Sequence, residues 1–301
     1  MKYDIVSFGS AVVDIFVNTN VHEKEKAISY PIGSKILIEE LRYDIGGGGT
    51  NTAVAFSRLG FRTGYIGKMG DDENGKKILD MLKKEKVIFL GNIKKNSLSG
   101  CSIILDSVEH DRTILTYKGI NDKILMKDIK KFDTRWLYFP SLLEQSFETQ
   151  KKIAEIFVKK GAKLAFNPSE YLIKSYNLSS LLKLTYILVL NKDEAKLLSK
   201  KNSMDEIFSA LYNLGPRIIV ITDKNNPIIC YDGTKKYSIT PHKIKVVERT
   251  GAGDAFASGF VAGIIVGKPI ETSLKLGLRE SESVIQHLGA KNNLLRFRLA
   301  R

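Results

Sequence analysis

RWLYF (Arg135–Phe139), KLAF (Lys163–Phe166), YILVL (Tyr186–Leu190) and RIIVIT (Arg217–Thr222) are short apolar runs rich in β-branched and aromatic residues. Helical patterns separate them, near Gln150–Lys160 and Glu206–Leu214. Strands alternating with helices argue for βαβ units and a mostly parallel sheet. The rhythm extends toward the N-terminus. Tyr3–Phe8 reads as the first strand, Asn51–Leu59 as a helix ended by Gly60, Arg62–Ile66 as a strand, Gly75–Lys84 as a helix and Val87–Leu90 as a strand. Toward the C-terminus, His242–Val247 reads as strand-like, and Gly251–Val266 and Ile270–Leu288 as helices. The expected fold class is α/β, a doubly wound, mostly parallel sheet flanked by helices.

Two stretches interrupt the rhythm. Asp14 to Gly46 holds no good helix, and Ser99 to Lys118 reads as two strands, CSIIL and RTILTY, around the polar turn SVEHD. Long helix-free segments in a compact domain are usually functional. We therefore expect a small β-sheet lid from about residues 15–45 and 97–118. With no linker or internal repeat, residues 1–301 read as one domain carrying that lid.

The 301 residues are 43% hydrophobic and 27% charged, without a low-complexity tract, which excludes a disordered chain. A membrane span needs about 18 or more consecutive apolar residues, and Phe260–Val266 is among the longest runs. Asp4 sits where a signal peptide would be hydrophobic, so the profile is cytoplasmic. Cys101 and Cys230 form no disulfide framework, and His22, His110, His242 and His287 show no metal-ligand spacing. Lys and Arg number 47 against 33 Asp and Glu, a net charge of +14, so phosphate or polyanion partners come into consideration. The excess is mostly dispersed lysine; only the terminal RFRLAR (Arg296–Arg301) is clustered, so nucleic acid is the lesser expectation.

The most specific chemical signal is RTGAGDAFASGF (Arg249–Phe260). The amides of Gly251, Ala252 and Gly253 fall at a helix N-terminus, where free N–H groups and the helix dipole bind anions. Asp254 lies in the first turn. A base beside an anion hole is what phosphoryl transfer to an alcohol needs, although the same pattern also serves as an ordinary early-helix turn. GGGGTN (Gly46–Asn51) allows a ligand close to the backbone, with Asn51 able to bond hydroxyls; a tight turn explains it equally well. Neither a dinucleotide fingerprint nor a Walker A loop is present. NKDE (Asn191–Glu194) has the form of a capping box, and alternatively could meet phosphate oxygens and the water shell of Mg²⁺. Asp14 follows the first strand, at the end of an open sheet where ligands bind.

GGGGTN, GKMGDDENG (Gly67–Gly75), NKDE and RTGAGDAF, in that order, resemble the ribokinase, or phosphofructokinase B, family of sugar and nucleoside kinases over essentially the whole chain. The resemblance implies transfer of the γ-phosphate of ATP to a hydroxymethyl group. Asp254 would be the catalytic base and Gly251, Ala252 and Gly253 the anion hole. Asp14, Gly46, Gly47 and Asn51 would hold the acceptor, Asn191, Thr222 and Lys224 the nucleotide, and Glu194 would reach Mg²⁺ through water.

The chain departs from the family pattern in places. Glu248 and Arg249 replace the first two residues of the usual DTTGAGD, the first of which shapes a monovalent-cation site in many members, and this weakens the expectation of K⁺. TDKNNP (Thr222–Pro227) carries Lys224 and Pro227 where glycines are usual, and Lys224 brings a charge toward the nucleotide phosphates. Where ribokinases often have a lysine in the glycine run and a glutamate near the fifth strand's end, this chain reads GGGG and FPSLLE, which weakens ribose itself as acceptor. Phe16, Tyr30 and Tyr43 on the lid could stack on a nucleoside base or simply pack. Arg112 and Lys118 could meet an anionic sugar phosphate. Carbohydrate kinase leads, nucleoside or sugar-phosphate kinase is the alternative, and a polyanion binder on a kinase scaffold is the reading from another class. Lid strand edges would offer a homodimer contact.

Overall fold

A computed structural model describes residues 2–25, 27–108 and 112–299, Arg112 by its backbone alone. His110, the Arg112 side chain and Arg301 lie outside the described residues. The N-terminal half holds strands Lys2–Phe8 (β1), Val12–Asn18 (β2) and Glu40–Gly46 (β3), helix Gly48–Arg58 (α1), strands Thr63–Ile66 (β4) and Lys68–Gly70 (β5) and helix Glu73–Lys84 (α2). Ile88–Phe89 (β6), Asn92–Lys94 (β7), Gly100–Asp106 (β8) and Arg112–Tyr117 (β9) follow. Next come Asp133–Pro140 (β10), Glu144–Lys159 (α3), Lys163–Asn167 (β11), Glu170–Ser175 (α4), Ser179–Leu184 (α5), Thr185–Asn191 (β12), Lys192–Ser199 (α6) and Met204–Asn213 (α7). Ile218–Asp223 (β13), Asn226–Tyr231 (β14) and Lys236–Ile239 (β15) precede the final helices Ala252–Ile265 (α8) and Ile270–Ile285 (α9).

The main sheet runs β15-β14-β13-β12-β11-β10-β1-β4-β6, parallel throughout except for β14 and β15, which form an antiparallel edge. Its central strands are buried along nearly their whole length because both faces are covered. On one face Phe147 and Ile153 of α3 and Phe208 of α7 pack over Phe139, Phe166 and Leu188. On the other, Phe56 of α1, Phe256 and Phe260 of α8 and Leu274 of α9 pack over Ile5, Tyr138 and Val189. The chain leaves β1 in one direction and returns at β10 in the other, so the crevice at their carboxyl ends is a topological switch point.

A four-stranded sheet, β3-β2-β8-β9, stands beside the main sheet as the lid-like element, and β5 pairs with β7 in a small ribbon. Asn121 joins lid to body: its side-chain oxygen accepts from Ala11 N and its amide donates to Ala11 O and Lys118 O, each at 2.9 Å. Helix α2 begins two residues before the expected Gly75, because Asp72 accepts from Gly75 N and caps the turn. One sequence expectation is corrected. His242–Val247 is not a strand; it follows the edge strand β15 without pairing, and Val247 N instead donates to Ile285 O at the end of α9. Ile244 and Val246, the alternating apolar residues, line a cleft instead of pairing in a sheet, and Pro241 offers no N–H for a ladder. Among the described residues no helix is long and apolar enough to cross a membrane.

Candidate active site

Four segments far apart in sequence meet at the switch point. Gly47, with φ +93°, is the N-cap of α1, and a side chain there would come within 2.6 Å of Ser10 O. Only a glycine gives that turn and lets α1 start against the Ser10 backbone, whose carbonyl accepts from Gly49 N at 3.1 Å. A side chain on Gly46 would overlap the Asp14 carboxylate, so the glycine run also leaves room for Asp14. From the first turn of α1, Asn51, 5% exposed, sends its amide Nδ2 to Asp254 Oδ2 at 2.7 Å. Asp254 enters from α8, whose N-cap Gly251 takes the left-handed conformation at φ +80°.

The lid contributes Asp14, 7% exposed, from β2, opposite Asp44 of β3 and Ser102 of β8. Burial raises the Asp14 carboxyl to about 6, and Asp44 and Glu248 add to the rise; Lys291 and the Ser102 hydroxyl pull it back. Burial also raises Asp254, against the amide of Asn51 and the charge of Lys291. The Tyr138 hydroxyl lies buried nearby with no hydrogen-bond partner among the described residues, and burial and the Asp254 charge hold it well above the phenol range.

Beyond Asp254 opens a cleft of about 730 Å³. Asn191 at the end of β12, Thr222 and Lys224 at the end of β13, and Ala252, Gly253 and Phe256 of α8 line it, together with Arg249 and the 240–246 segment. A side chain on Gly253 would meet nothing within 4 Å, so the chain borders open space where it lines the cleft. Lys224 holds φ +52°, the left-handed turn at which a glycine was expected. The capping form of NKDE is realised: Asn191 Oδ1 accepts from Glu194 N at 2.9 Å and Glu194 Oε2 from Asn191 N at 2.8 Å. Burial raises the Glu194 carboxyl, which Glu170 N also approaches. Glu248, at the cation-site position, accepts from Gly289 N at 2.7 Å and faces Arg42 at 3.8 Å.

The structure thus brings Asp14, Asn51 and Asp254 together on one side, and Asn191, Thr222, Lys224, Ala252 and Gly253 on the other. The lid aromatics divide. Phe16 shares the Asp14 face but is buried under the Arg42 guanidinium, 4.1 Å from the ring centroid. Tyr43 points the other way, out from the lid, and Tyr30 bonds Thr19 through its hydroxyl. Lys118 is exposed. Arg296 of the basic C-terminal run donates to Glu85, which Arg58 also clasps, so part of that run serves internal structure. Sequence reasoning missed Lys291, Asp44 and Asn121; none sits in a patterned stretch, and only tertiary structure carries them to the site.

The class these features define is a ribokinase-like α/β enzyme with its site at the switch point. Over residues 2–296 the chain matches the model of the pfkB family carbohydrate kinases, and it belongs to that family. It is 30% identical over 254 residues to an uncharacterized sugar kinase of Archaeoglobus fulgidus, spanning 81% of this chain and 99% of that one. With a ribokinase of Bacillus subtilis it shares 27% identity over 302 residues, 97% and 96% of the two chains. The solved adenosine kinase from Sinorhizobium meliloti has the same fold, with a TM-score of 0.83 at 20% identity over 96% of each chain. The chain is therefore a sugar or nucleoside kinase, a phosphotransferase with an alcohol acceptor.

Proposed function

We propose that this kinase transfers the γ-phosphate of ATP to a hydroxymethyl group of a sugar. The acceptor oxygen forms the new O–P bond, the bond to the ADP oxygen breaks, and Asp254 takes the hydroxyl proton. One observation carries the reading: Asp254 stands at the junction, its carboxylate tied to Asn51 on the lid side while Ala252 and Gly253 of the same turn line the cleft. Burial, which raises Asp254, moves its basicity in the direction a general base needs. The amides of Gly251 and Gly253, and that of Ala252 once it leaves its 3.3 Å bond to Arg249 O, meet the phosphoryl as it transfers. Asp14, Gly46, Gly47 and Asn51 hold the acceptor hydroxyls, and Asn191, Thr222 and Lys224 the nucleotide.

Mg²⁺, when bound, neutralises charge on the phosphates as they separate. The hard oxygen donors of Glu194 and Asn191 at the end of β12 suit that ion, which takes few protein ligands and keeps several waters. Glu194 already accepts backbone N–H bonds, so its reach is through water. At the position that would shape a K⁺ site, Glu248 is engaged by Gly289 N, which argues against K⁺ dependence.

The sugar reading is favoured over a nucleoside because the one aromatic ring on the Asp14 face of the lid strands, Phe16, is already covered by Arg42. The lid's outer face carries a row, Tyr43, Ile15, Ile103 and Leu115 across four strands, partly exposed and apolar. A second copy covering that row would make a homodimer, which light scattering of the chain in solution tests. An ATP-consumption screen over ribose, fructose, fructose 6-phosphate, adenosine, inosine and cytidine tests the acceptor. Turnover of a free sugar that Asp254→Asn abolishes supports the reading. Turnover confined to nucleosides moves the acceptor class, and an undiminished Asp254→Asn enzyme removes the base.

A further inference from the structure

Lys291 lies just beyond α9 and is 4% exposed. An ammonium at that depth survives only with close partners. It donates to Asn51 Oδ1 at 2.5 Å and to the Ile45 carbonyl at the end of β3. The carboxylates of Asp44 and Asp14 on the lid and Asp254 on α8 face it, and Arg58 of α1 is the facing cation, its guanidinium donating to the Lys291 carbonyl at 2.6 Å. Lys291 thus joins the lid, α1, α8 and the C-terminal segment at one point.

The Asn51 amide has unlike ends. An ammonium can only donate and an ionised carboxylate can only accept. Lys291 on one side and Asp254 on the other therefore permit a single orientation, oxygen toward Lys291 and NH₂ toward Asp254 Oδ2, as observed. That bond commits Oδ2 and leaves Oδ1, on the Gly48 side, for an acceptor hydroxyl. We infer that Lys291 is the positioning residue of the acceptor site: through Asn51 it aims the Asp254 carboxylate, and its charge offsets the three carboxylates that would otherwise repel the incoming γ-phosphate. The inference rests on Asp254 being the base.

Burial lowers the Lys291 ammonium to about 8, against the three carboxylates that raise it, while Arg58 pushes the same way as burial. The charge is present below that pH and lost above it, so the lysine supplies an alkaline limb to the rate.

The test compares the wild-type chain with Lys291→Met, which keeps length and loses charge, and Lys291→Ala, which leaves room for a small amine. The expected result for Lys291→Met is a kcat about 10²-fold lower with the KM for ATP unchanged, the cost of a misaimed group. Its alkaline limb near pH 8 should disappear. In a ¹³C-carboxyl titration, the Asp254 midpoint should move up by about one pH unit or more once the neighbouring cation is gone. Ethylammonium, and not tetramethylammonium, should restore turnover to Lys291→Ala, which a purely structural lysine would not allow. If Asp254→Asn is inactive while Lys291→Met keeps the wild-type kcat, pH profile and Asp254 midpoint, the positioning role is overturned and the base stands. If Asp254→Asn is fully active, the base reading fails first. Should Lys291→Met not fold, amine rescue of Lys291→Ala decides alone: rescue supports the role, and no rescue in a folded Lys291→Ala overturns it.

Discussion

The two halves of the site are built differently. On the proposed acceptor side Asp14, Asn51, Asp254 and Lys291 are joined side chain to side chain or face one another at close range, from four segments that only the tertiary fold brings together. The cleft on the other side of Asp254 is a wide space of about 730 Å³, lined by loop ends, a helix N-terminus and exposed cations such as Lys224 and Lys243. The closed half selects by preformed polar geometry, in which an unpaired buried group is costly. The open half, the proposed nucleotide side, would rely on backbone amides and on the ordering that a nucleotide and its ion bring. Substitutions in the first half should therefore alter turnover, acceptor binding and stability, and those in the second should alter nucleotide binding alone.

The largest effect falls where the halves meet. Asp254→Asn keeps size and the Asn51 neighbourhood while losing the proton acceptor, and we expect kcat to drop by about 10²–10⁴-fold, the range for general-base removal. Nucleotide affinity, measured by equilibrium titration, should stay within about twofold, because the amides of the α8 turn are kept. A parallel loss of nucleotide binding would show that the halves are one unit.

Next is Gly47→Ala, which tests how rigid the closed half is. The new methyl would sit 2.6 Å from Ser10 O at φ +93°, so both clash and backbone strain oppose it. Unfolding in urea should show a loss of roughly 1–3 kcal/mol, the cost of holding a side chain in such a region. The acceptor KM should rise along with it.

Lys224→Gly makes the opposite case. The turn at φ +52° is one a glycine adopts freely, so stability should hold or improve by up to about 1 kcal/mol. Loss of the ammonium should raise the KM for ATP by roughly 3–10-fold, as for an exposed charge on a phosphate. A KM for ATP that stays level or falls would leave Lys224 without a phosphate role.

The same division governs what could be read in the sequence. The doubly wound sheet was legible because each strand carries its own apolar run, as in Tyr186–Leu190 and Arg217–Thr222. The α8 turn was legible because Gly251, Ala252, Gly253 and Asp254 are adjacent, so local chemistry and local structure coincide. His242–Val247 misled because alternation records only that Ile244 and Val246 share a side, and that side lines the cleft instead of joining a sheet. Lys291 had no signal at all, since a lysine after a helix normally faces solvent and its partners are up to 277 residues away, as Asp14 is. NKDE satisfied its capping geometry in full, so its bond pattern alone gives no sign of a nucleotide; the structure adds that Asn191 lines the cleft.

The finest distinction between the halves is electrical. Asp14 carries a carboxyl raised to about 6, chiefly by burial. As pH falls through that value it takes up a proton, one oxygen becomes a donor and the charge is lost, so the bonds proposed from acceptor hydroxyls weaken. Ionised fractions at pH 7.5 and 5.5 then differ by about fourfold, and the acceptor KM should rise by that factor while the KM for ATP stays level. Unfolding cannot imitate this. The Asp14 carboxyl ionises in the unfolded chain near its ordinary 3.8 and in the folded one only near 6, so the unfolded state binds fewer protons across that window. Asp14 therefore costs stability as pH rises from about 4 to 6 and favours the folded chain as pH falls. Acceptor binding and the Asp14 share of stability move in opposite directions with acid, and Asp14→Asn should flatten both. An acid limb in the acceptor KM that persists in Asp14→Asn would belong to another carboxyl of the site, with Asp254, which burial also raises, the next to replace.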